Sequence, residues 1–417
     1  MARVELTLEG LAKGGDAVAH HDGRAVFVDR GAPGDRVLVD LMERPGEREL
    51  HAHLVEVIER GPNHVEPVCP VADRCGGCRW MRVAYPAQAI AKEKIFFDAL
   101  ERIGRVSRAS IDAKPIVPAP NALAYRRRAR LHVRREHVGY IREKTHELVE
   151  IHGCPVLEPA LDSAVKRLPD ALAKHQLLAR VKEIDLVCEG AAWSLALHLD
   201  KLTGVLSDRA EKLVRELDAR GAVLLSENAK PMMIGKPVLG TLRPDVFAQV
   251  NAGSNAGLVD AAVAQLGATN DQHVLELFAG SGNFTLPLAG QGARVVAIES
   301  AGPALGLLRS AANSRGLADK VRIVEGDALE RARALAADGQ RFASLLLDPP
   351  RSGCSGLAPV AHSLGVKRIV YVSCDPATLA RDVRELSEAG FLPKWAQPFD
   401  LFPQTPHVEG VVRLERV

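Results

Sequence analysis

Cys374 stands in a setting that is typical of a reactive thiol. It lies one residue beyond an apolar run that reads as a strand, and Pro376 opens a predicted helix directly after it. A helix N-terminus stabilises negative charge, so this position favours a thiolate. A thiolate could add to carbon 6 of a uracil ring and make carbon 5 electron-rich enough to accept a methyl group. The alternative is a small buried core residue, which is the usual fate of a free cysteine.

Two other cysteines are weaker candidates for the same chemistry. Cys354 lies in a Ser-Gly-Cys-Ser-Gly loop without obvious positioning. Cys188 follows an apolar run that is typical of a core strand. We therefore assign the nucleophile to Cys374.

Acidic side chains follow two further apolar runs. Asp348 begins an Asp-Pro-Pro-Arg segment, and at the carboxyl edge of a parallel sheet it would face a ligand cleft. A strand that stops at proline is the structural alternative, and enzymes that methylate exocyclic amines of bases carry a similar motif. Glu409, in Pro-His-Val-Glu-Gly, is the candidate base that would take the proton from carbon 5, or else a surface turn residue.

The loop at residues 278–283, Phe-Ala-Gly-Ser-Gly-Asn, joins a predicted strand to a helix. Glycines allow a ligand to approach the backbone closely, and Glu299 ends the next strand, where an acid would meet ribose hydroxyls. Thr285 replaces the third glycine of a dinucleotide fingerprint, which favours a smaller nucleoside such as S-adenosylmethionine. A tight turn without a ligand is the alternative. Together with Asp327 after the third strand, Glu299 favours the ligand.

Four cysteines form a second set, with the spacing Cys-x5-Cys-Gly-Gly-Cys followed by a distant Cys-Pro. Four thiolates hold either zinc or an iron–sulfur cluster, and the distant fourth cysteine before proline favours a cluster. The Cys-x3-Cys-x2-Cys run of radical enzymes is absent from the sequence. The members are Cys69, Cys75, Cys78 and Cys154.

The densest run of positive charge lies at residues 125–134. With the period of a strand, alternate cationic side chains share one face, which could follow an RNA backbone. A solvated edge strand protected against aggregation is the alternative. The predicted RNA-binding residues are Arg126, Arg128, Arg130, His132 and Arg134.

The 417 residues imply two or three domains, and the 47% hydrophobic and 25% charged content is that of a globular protein. Residues 1–61 contain short strands and glycine turns, which predict a small β-barrel. Residues 62–240 mix strands and helices, including a helix opened by Pro86. Residues 241–417 alternate strands and helices, which predicts an α/β, Rossmann-like domain with an open parallel sheet. Its predicted strands are Val274–Phe278, Arg294–Ile298, Val321–Val324, Ser344–Leu347 and Arg368–Val372.

These features resemble the class I S-adenosylmethionine-dependent RNA uracil-5-methyltransferases that form 5-methyluridine in tRNA and 23S rRNA. The resemblance spans nearly the whole chain, and its most specific segment is Ser-Cys-Asp-Pro-Ala-Thr-Leu-Ala-Arg-Asp at residues 373–382. The family usually has asparagine at the position of Asp375 and often at that of Asp327. The N-terminal module resembles the OB-like TRAM barrel, which implies RNA binding and favours ribosomal RNA over tRNA.

The resemblance implies Cys374 as the nucleophile, Glu409 as the base, and a 4Fe-4S cluster on the four cysteines of a central α+β domain. With the loop glycines, the predicted cofactor-binding residues are Gln249, Phe278, Gly280, Gly282, Asn283, Glu299, Asp327 and Asp348.

We expect a cytoplasmic monomer that acts on RNA, most naturally 23S rRNA, without a membrane partner. Net charge is only +2, so RNA contact must depend on local patches. A tRNA uracil-5-methyltransferase and an amine methyltransferase are the enzymatic alternatives. A non-catalytic iron–sulfur RNA-binding protein or RNA chaperone is the alternative from another class.

Overall fold

The structure is a computed structural model that describes residues 2–42, 48–143, 145–268 and 270–417. In these residues the strands form three sheets, which follow one another along the chain apart from one short edge strand. Within the same residues, no helix combines the length and the apolar character needed to cross a membrane.

The N-terminal sheet surrounds its own apolar core. Its strands alternate buried and exposed side chains, as in Arg36–Met42, because successive residues point to opposite faces. The strands are β1 (Arg3–Thr7), β2 (Gly10–Leu11), β3 (Ala17–His21), β4 (Arg24–Val28), β5 (Arg36–Met42) and β6 (Leu50–Glu59). The order is β1-β5-β6-β4-β3-β2. In the described residues the hydrogen-bonded order ends at β1 and β2, so the closed ring expected of a barrel is not observed.

The next segment packs against the third sheet rather than the second. It contains α1 (Tyr85–Arg102), a short 3-10 helix (Arg108–Ser110) and β7 (Asp112–Ala113). α1 confirms the helix predicted from Pro86, and it buries Phe96, Phe97 and Leu100 in the core of the third sheet. β7 pairs with an edge of the same sheet. This segment lies within predicted domain 62–240 but belongs by packing to the C-terminal part.

The central sheet has seven strands with two helices packed on it. Its elements are β8 (Arg128–Arg134), β9 (His137–Ile141), β10 (Leu148–Glu150), α2 (Pro159–Lys174), β11 (Val181–Glu189), β12 (Ala192–Leu199), α3 (Gly204–Glu216), β13 (Gly221–Ser226) and β14 (Ala229–Gly235). The order is β10-β9-β8-β11-β12-β13-β14. β8 therefore lies inside the sheet, which excludes the edge-strand alternative.

The third sheet contains eight strands, one of which is β7. The remaining elements of this part of the chain are α4 (Ala252–Leu266), β15 (His273–Leu277), α5 (Thr285–Gly290), β16 (Arg294–Glu299), α6 (Gly302–Ser314), β17 (Val321–Glu325), α7 (Ala328–Ala337), β18 (Ser344–Leu347), α8 (Leu357–Ser363), β19 (Arg368–Ser373), α9 (Pro376–Glu388), β20 (Phe391–Phe399) and β21 (Glu409–Arg416). The strand order is β17-β16-β15-β18-β19-β21-β20-β7. The five predicted strands are β15 to β19, all parallel and each followed by a helix.

Both faces of this sheet are covered by helices. Leu275 and Leu347 point into a core shared with α1, α7, α8 and α9. Val274 and Leu346, one residue away on the same strands, point into a core shared with α4, α5 and α6. Continuous apolar runs are required where both faces of a strand are buried. The strand order reverses between β15 and β18, and ligands of open α/β sheets bind at the carboxyl ends beside such a reversal.

Candidate active site

The loop after β15 is shaped for close approach at one glycine. Phe278 directly follows β15 and has φ = 62°, a left-handed conformation that is uncommon for a bulky residue. A Cβ on Gly280 would meet nothing within 4 Å, whereas one on Gly282 would lie 2.5 Å from Leu308 Cδ1. Gly280 therefore leaves open space beside the backbone. Gly282 was predicted to contact a ligand, but its missing side chain makes room for helix packing.

Glu299 ties the ends of β15 and β16 together. Its Oε2 accepts a hydrogen bond from Gly280 N at 3.0 Å, and its Oε1 accepts from Ser300 N and Ala301 N, both at 2.8 Å. Oε2 keeps a lone pair for one further donor, and the side chain is partly exposed. This arrangement suits one hydroxyl of a ribose.

Two further predicted cofactor residues, Asn283 and Asp327, lie in loops that follow strands of the same sheet. Asn283 exchanges two side-chain hydrogen bonds with Asn255, at 2.8 and 3.1 Å. Asp327 is exposed and caps α7, with Oδ1 accepting from Glu330 N at 3.0 Å. Gln249 is 8% exposed. Asp327 thus has a structural task in the loop after β17 besides any ligand contact.

Cys374, Glu409 and Asp348 come together at the ends of neighbouring strands. Ser373 of β19 pairs with Gly410 of β21, so the next residues outward, Cys374 and Glu409, lie across from each other. Cys374 is partly exposed, so its sulfur is not enclosed in the core. The charges of Glu409 and Asp348 both act on this thiol.

The prediction that the helix N-terminus makes Cys374 a ready thiolate is wrong for the free protein. Burial, followed by the negative charges of Glu409 and Asp348, raises the pKa of Cys374 to about 11. Arg351 opposes this shift through a hydrogen bond to the sulfur and its positive charge. The α9 amides that would favour a thiolate are instead capped by the Asp375 side chain.

Glu409 is a buried carboxyl group with spare hydrogen-bonding capacity. It is 2% exposed, and in the described residues Oε2 has no hydrogen-bond partner. Burial and the charge of Asp348 raise its pKa well above the usual value, and Arg351 counteracts them. Burial also raises the pKa of Asp348, to about 7. Carboxylates with raised pKa values are stronger proton acceptors, which suits a general base.

Two residues were not assigned a role from the sequence. Arg351 follows Asp348 in the Asp-Pro-Pro-Arg motif, which was the available signal. Glu276 in β15 is 1% exposed, accepts a 2.6 Å hydrogen bond from Thr285 Oγ1, and has a pKa raised to about 8 by burial. The available signal for Glu276 was an acidic residue within the apolar run of a predicted strand.

The rival cysteines are both buried. Cys354 is 4% exposed, and burial followed by the charge of Asp382 raises its pKa to about 12. Cys188 is 0% exposed, as predicted for a core residue. Among the three cysteines outside the four-cysteine set, only Cys374 is partly exposed.

The four remaining cysteines line one cavity in the central region. Its other walls are largely apolar, from side chains such as Met81, Tyr140 and Ile151. In the described part of the chain, no group of three or more His, Cys, Asp or Glu side chains is arranged to hold a single metal ion. Burial, then the neighbouring thiols Cys154 and Cys75, raise the pKa of Cys78 to about 12. The four cysteines that were predicted to act together therefore share one largely apolar cavity.

The basic run does not form a continuous cationic face. Arg128 is half-buried and donates to the carbonyls of Pro244 and Val246, so it braces the loop before Gln249. Arg130 makes a bidentate pair with Asp185 at 2.8 and 2.9 Å.

The remaining cationic side chains have separate surroundings. His132 Nδ1 lies 3.3 Å from Glu183 Oε1. Arg126 exerts its charge on Cys75 and Cys78. Arg134 is exposed and donates to the His146 carbonyl. Acids of the neighbouring strand β11 therefore pair with two of the five predicted residues, Arg130 and His132.

Comparison with known proteins agrees with this geometry. The sequence model of the tRNA (Uracil-5-)-methyltransferase family matches residues 232–417. The 23S rRNA (uracil(1939)-C(5))-methyltransferase RlmD of Alkalilimnicola ehrlichii is 34% identical, with 99% of this chain and 96% of the relative covered. The protein of the same name from Dechloromonas aromatica is 33% identical, with 98% of each chain covered.

A solved structure shares the fold over the whole length. The Pyrococcus abyssi tRNA (uracil-54, C5)-methyltransferase in complex with S-adenosyl-L-homocysteine superposes with a TM-score of 0.76. The alignment covers 99% of this chain and 100% of that one at 21% identity. Taken with the full-length relatives, these matches show that the chain belongs to the family of S-adenosylmethionine-dependent RNA uracil-5-methyltransferases.

Proposed function

We propose that this protein methylates carbon 5 of a uridine in 23S rRNA through a covalent adduct with Cys374. The observation that carries the mechanism is the meeting of a partly exposed thiol, a buried carboxyl group with a free oxygen, and an arginine at one edge of the sheet. The choice of 23S rRNA over tRNA follows the full-length relatives, which act on 23S rRNA according to their names.

The predicted cofactor residues fit a nucleoside at the carboxyl ends of β15 to β18. Glu299 Oε2 has one lone pair for a ribose hydroxyl, and Gly280 leaves room for close approach. Phe278, Gln249, Asn283 and Asp348 complete this pocket in our proposal, with Asp327 at its outer side. S-adenosylmethionine bound here supplies an electrophilic methyl group.

Cys374 activates the uracil ring in this mechanism. Its sulfur forms a bond to carbon 6 as the thiol proton is lost to the carboxylate of Asp348, which leaves Glu409 unprotonated for the later step, and the electron pair of the ring double bond moves to carbon 5. Carbon 5 then forms its bond to the methyl group as the bond between that methyl group and the sulfonium sulfur breaks, and S-adenosylhomocysteine is the leaving group. Arg351 stabilises negative charge on the sulfur, which offsets the unfavourable effect of the two carboxylates.

Glu409 completes the reaction as the base. Its carboxylate takes the proton from carbon 5, the ring double bond re-forms, and the bond between sulfur and carbon 6 breaks. The free Oε2 is available for this proton. Burial excludes water and raises the proton affinity of the carboxylate, so the group suits this step.

We further propose that Cys69, Cys75, Cys78 and Cys154 hold a 4Fe-4S cluster. Four thiols line one largely apolar cavity, and four thiolates are a ligand set that such a cluster uses. Such a cluster would tie the segment around residues 69–78 to that around Cys154 and thereby order the central region. Methyl transfer moves no net electrons, so this role is structural.

RNA contact by the basic run is proposed chiefly for Arg134, which is exposed and has a carbonyl rather than a carboxylate as its partner in the described residues. Arg134→Gln should reduce the salt dependence of RNA binding by about one counterion. Arg130→Gln is the matched control, because Asp185 already compensates its charge. If the logarithm of RNA affinity falls with the logarithm of salt concentration at the same slope in both variants and wild type, this strand does not contact RNA.

The mechanism is tested by trapping with 5-fluorouridine. A 23S rRNA fragment made with 5-fluorouridine in place of uridine is incubated with the wild-type protein and S-adenosylmethionine. It should form a protein–RNA complex that survives denaturation, because the fluorine on carbon 5 cannot be removed as a proton. Mass spectrometry should place the adduct on Cys374, and Cys374→Ala should form none while still binding RNA. Cys354→Ala should react normally.

Methylation of the unsubstituted fragment without any trapped complex would contradict the covalent mechanism. Preferential reaction with a tRNA transcript would contradict the proposed substrate. Methylation of an exocyclic amine would contradict both.

A further inference from the structure

The turn between β2 and β3 is held in place by hydrogen bonds from Arg79 and Trp80, which lie in the segment after the N-terminal sheet. Trp80 Nε1 donates to the Gly15 carbonyl at 3.0 Å, and Arg79 Nη2 donates to Asp16 Oδ1 at 2.6 Å. Arg79 also donates to the Gly14 carbonyl. Gly15 has φ = 95°, and a Cβ there would lie 3.0 Å from the Arg79 side chain. The position of the turn is therefore determined by close contacts.

Lys13 extends from this turn to the catalytic loop. Its Nζ lies 2.9 Å from Asp375 Oδ1 and 2.8 Å from Oδ2. The two side chains are 48% and 22% exposed. The residues are 362 positions apart in the chain, so the N-terminal sheet contributes directly to the surroundings of the nucleophile.

Asp375 connects Lys13 to Cys374, the residue before it. Its Oδ1 accepts hydrogen bonds from Ala377 N and Thr378 N, both at 3.0 Å, and so caps α9. Burial alone would raise the pKa of Asp375, but Lys13 and the capping amides outweigh it and keep the pKa below its usual value. The carboxylate is thus charged and held from two directions. Any shift of Asp375 would move the backbone that carries the reactive thiol.

We propose that Lys13 is a positioning residue that fixes the loop of the nucleophile through Asp375, so that the N-terminal sheet is part of the catalytic assembly. Its effect on rate rests on the proposed function of Cys374, whereas its effect on the loop does not. Because the pair is partly exposed, its strength should be moderate and should fall as salt screens the charges.

The experiment uses the full-length protein with Lys13→Met, Lys13→Arg, Asp375→Asn and the double variant Lys13→Met with Asp375→Asn. Asparagine caps a helix about as well as aspartate, so Asp375→Asn removes the ion pair and retains the cap. Lys182→Met is the control, since it breaks another exposed pair, with Asp200, in the central sheet. Single-turnover methylation and trapping on 5-fluorouridine RNA are measured per active molecule, together with hydrogen exchange at the Ala377 and Thr378 amides.

Lys13→Met should slow the single-turnover rate about two- to fivefold and change the apparent RNA affinity less than about twofold. The double variant should be no slower than either single variant, because both remove one interaction. Lys13→Arg should restore most of the rate, and higher salt should reduce the difference from wild type. The two capping amides should exchange a few-fold faster in Lys13→Met and unchanged in Lys182→Met.

Additive losses in the double variant, or a loss confined to RNA affinity, would overturn the proposal. Unchanged amide exchange would do so independently of any chemistry at Cys374. If wild-type protein forms no trapped complex while the exchange of the two amides still depends on Lys13, then the proposed mechanism fails and the positioning contact stands.

Discussion

Cysteine occurs in two regions of the chain with different neighbours. At the edge of the third sheet a single thiol, Cys374, lies among Glu409, Asp348 and Arg351. In the central region four thiols share one largely apolar cavity. Burial is the main cause of the raised pKa in both regions, to about 11 for Cys374 and about 12 for Cys78.

The two regions differ in the second-largest cause of the raised thiol pKa. For Cys374 it is the charge of carboxylates that can accept protons, and an arginine opposes them. For Cys78 it is the charge of other thiols. Burial is thus common to both sites, and the neighbouring groups distinguish the two roles that we propose for sulfur, nucleophile and ligand.

The largest expected effect comes from Glu409→Gln. Turnover should fall on the order of a hundred- to ten-thousandfold, because the adduct cannot lose the proton on carbon 5. Addition of Cys374 should still occur, so a covalent protein–RNA complex should accumulate with ordinary uridine. Denaturing gels and methyl incorporation on the same samples measure both quantities. Turnover near that of wild type, or loss of activity without any adduct, would assign the base to another residue.

A smaller effect, on stability rather than chemistry, is expected for Cys75→Ser. Loss of one ligand should release iron and abolish the visible absorption of the cluster. It should also lower Tm by roughly 10 °C, which corresponds to a loss of about 3 kcal/mol in the free energy of unfolding for a domain of this size. The alkylation rate of Cys374 should change less than about twofold. Cys188→Ala removes a buried cysteine outside the cavity and should retain iron. Iron content that is equal in the two variants would contradict the cluster assignment.

The smallest effect concerns the ionisation of Cys374 in the free protein. With a pKa of about 11 the thiol is protonated at neutral pH, so its rate of alkylation by iodoacetamide should rise about tenfold per pH unit between about pH 7 and pH 9. Glu409→Gln should speed alkylation only at pH values at which the Glu409 carboxyl group is ionised, because it removes a like charge only there. Arg351→Met removes the favourable charge and should slow it several-fold. Peptide mass spectrometry measures each rate, and a plateau near neutral pH would show that Cys374 is already a thiolate.

Local sequence patterns predicted the C-terminal part of the fold closely. The predicted strand Ser344–Leu347 agrees with β18, and the other four parallel strands differ by one or two residues at their ends. Strands buried on both faces must be apolar throughout, so their limits are visible in the sequence. The same reasoning placed Asp348 and Cys374 at strand ends, where the structure has them.

Predictions that depended on distant partners were less accurate. Arg130 was expected to present its charge to RNA, but Asp185, 55 residues away, pairs with it. Arg128 shares the face on which it was expected, but its guanidinium group donates to carbonyls of the loop before Gln249. Side-chain periodicity gives the direction in which a strand residue points, and it carries no information about which strand lies beside it.

The sequence by itself determined which residues could do chemistry and at which strand ends they stand, because apolar periodicity and chain order are local properties. Only the tertiary structure decided how acidic the Cys374 thiol is, that Glu409 faces it, and that Lys13 reaches Asp375. These depend on distances between residues far apart in the chain, and both electrostatic energy and desolvation are set by such distances.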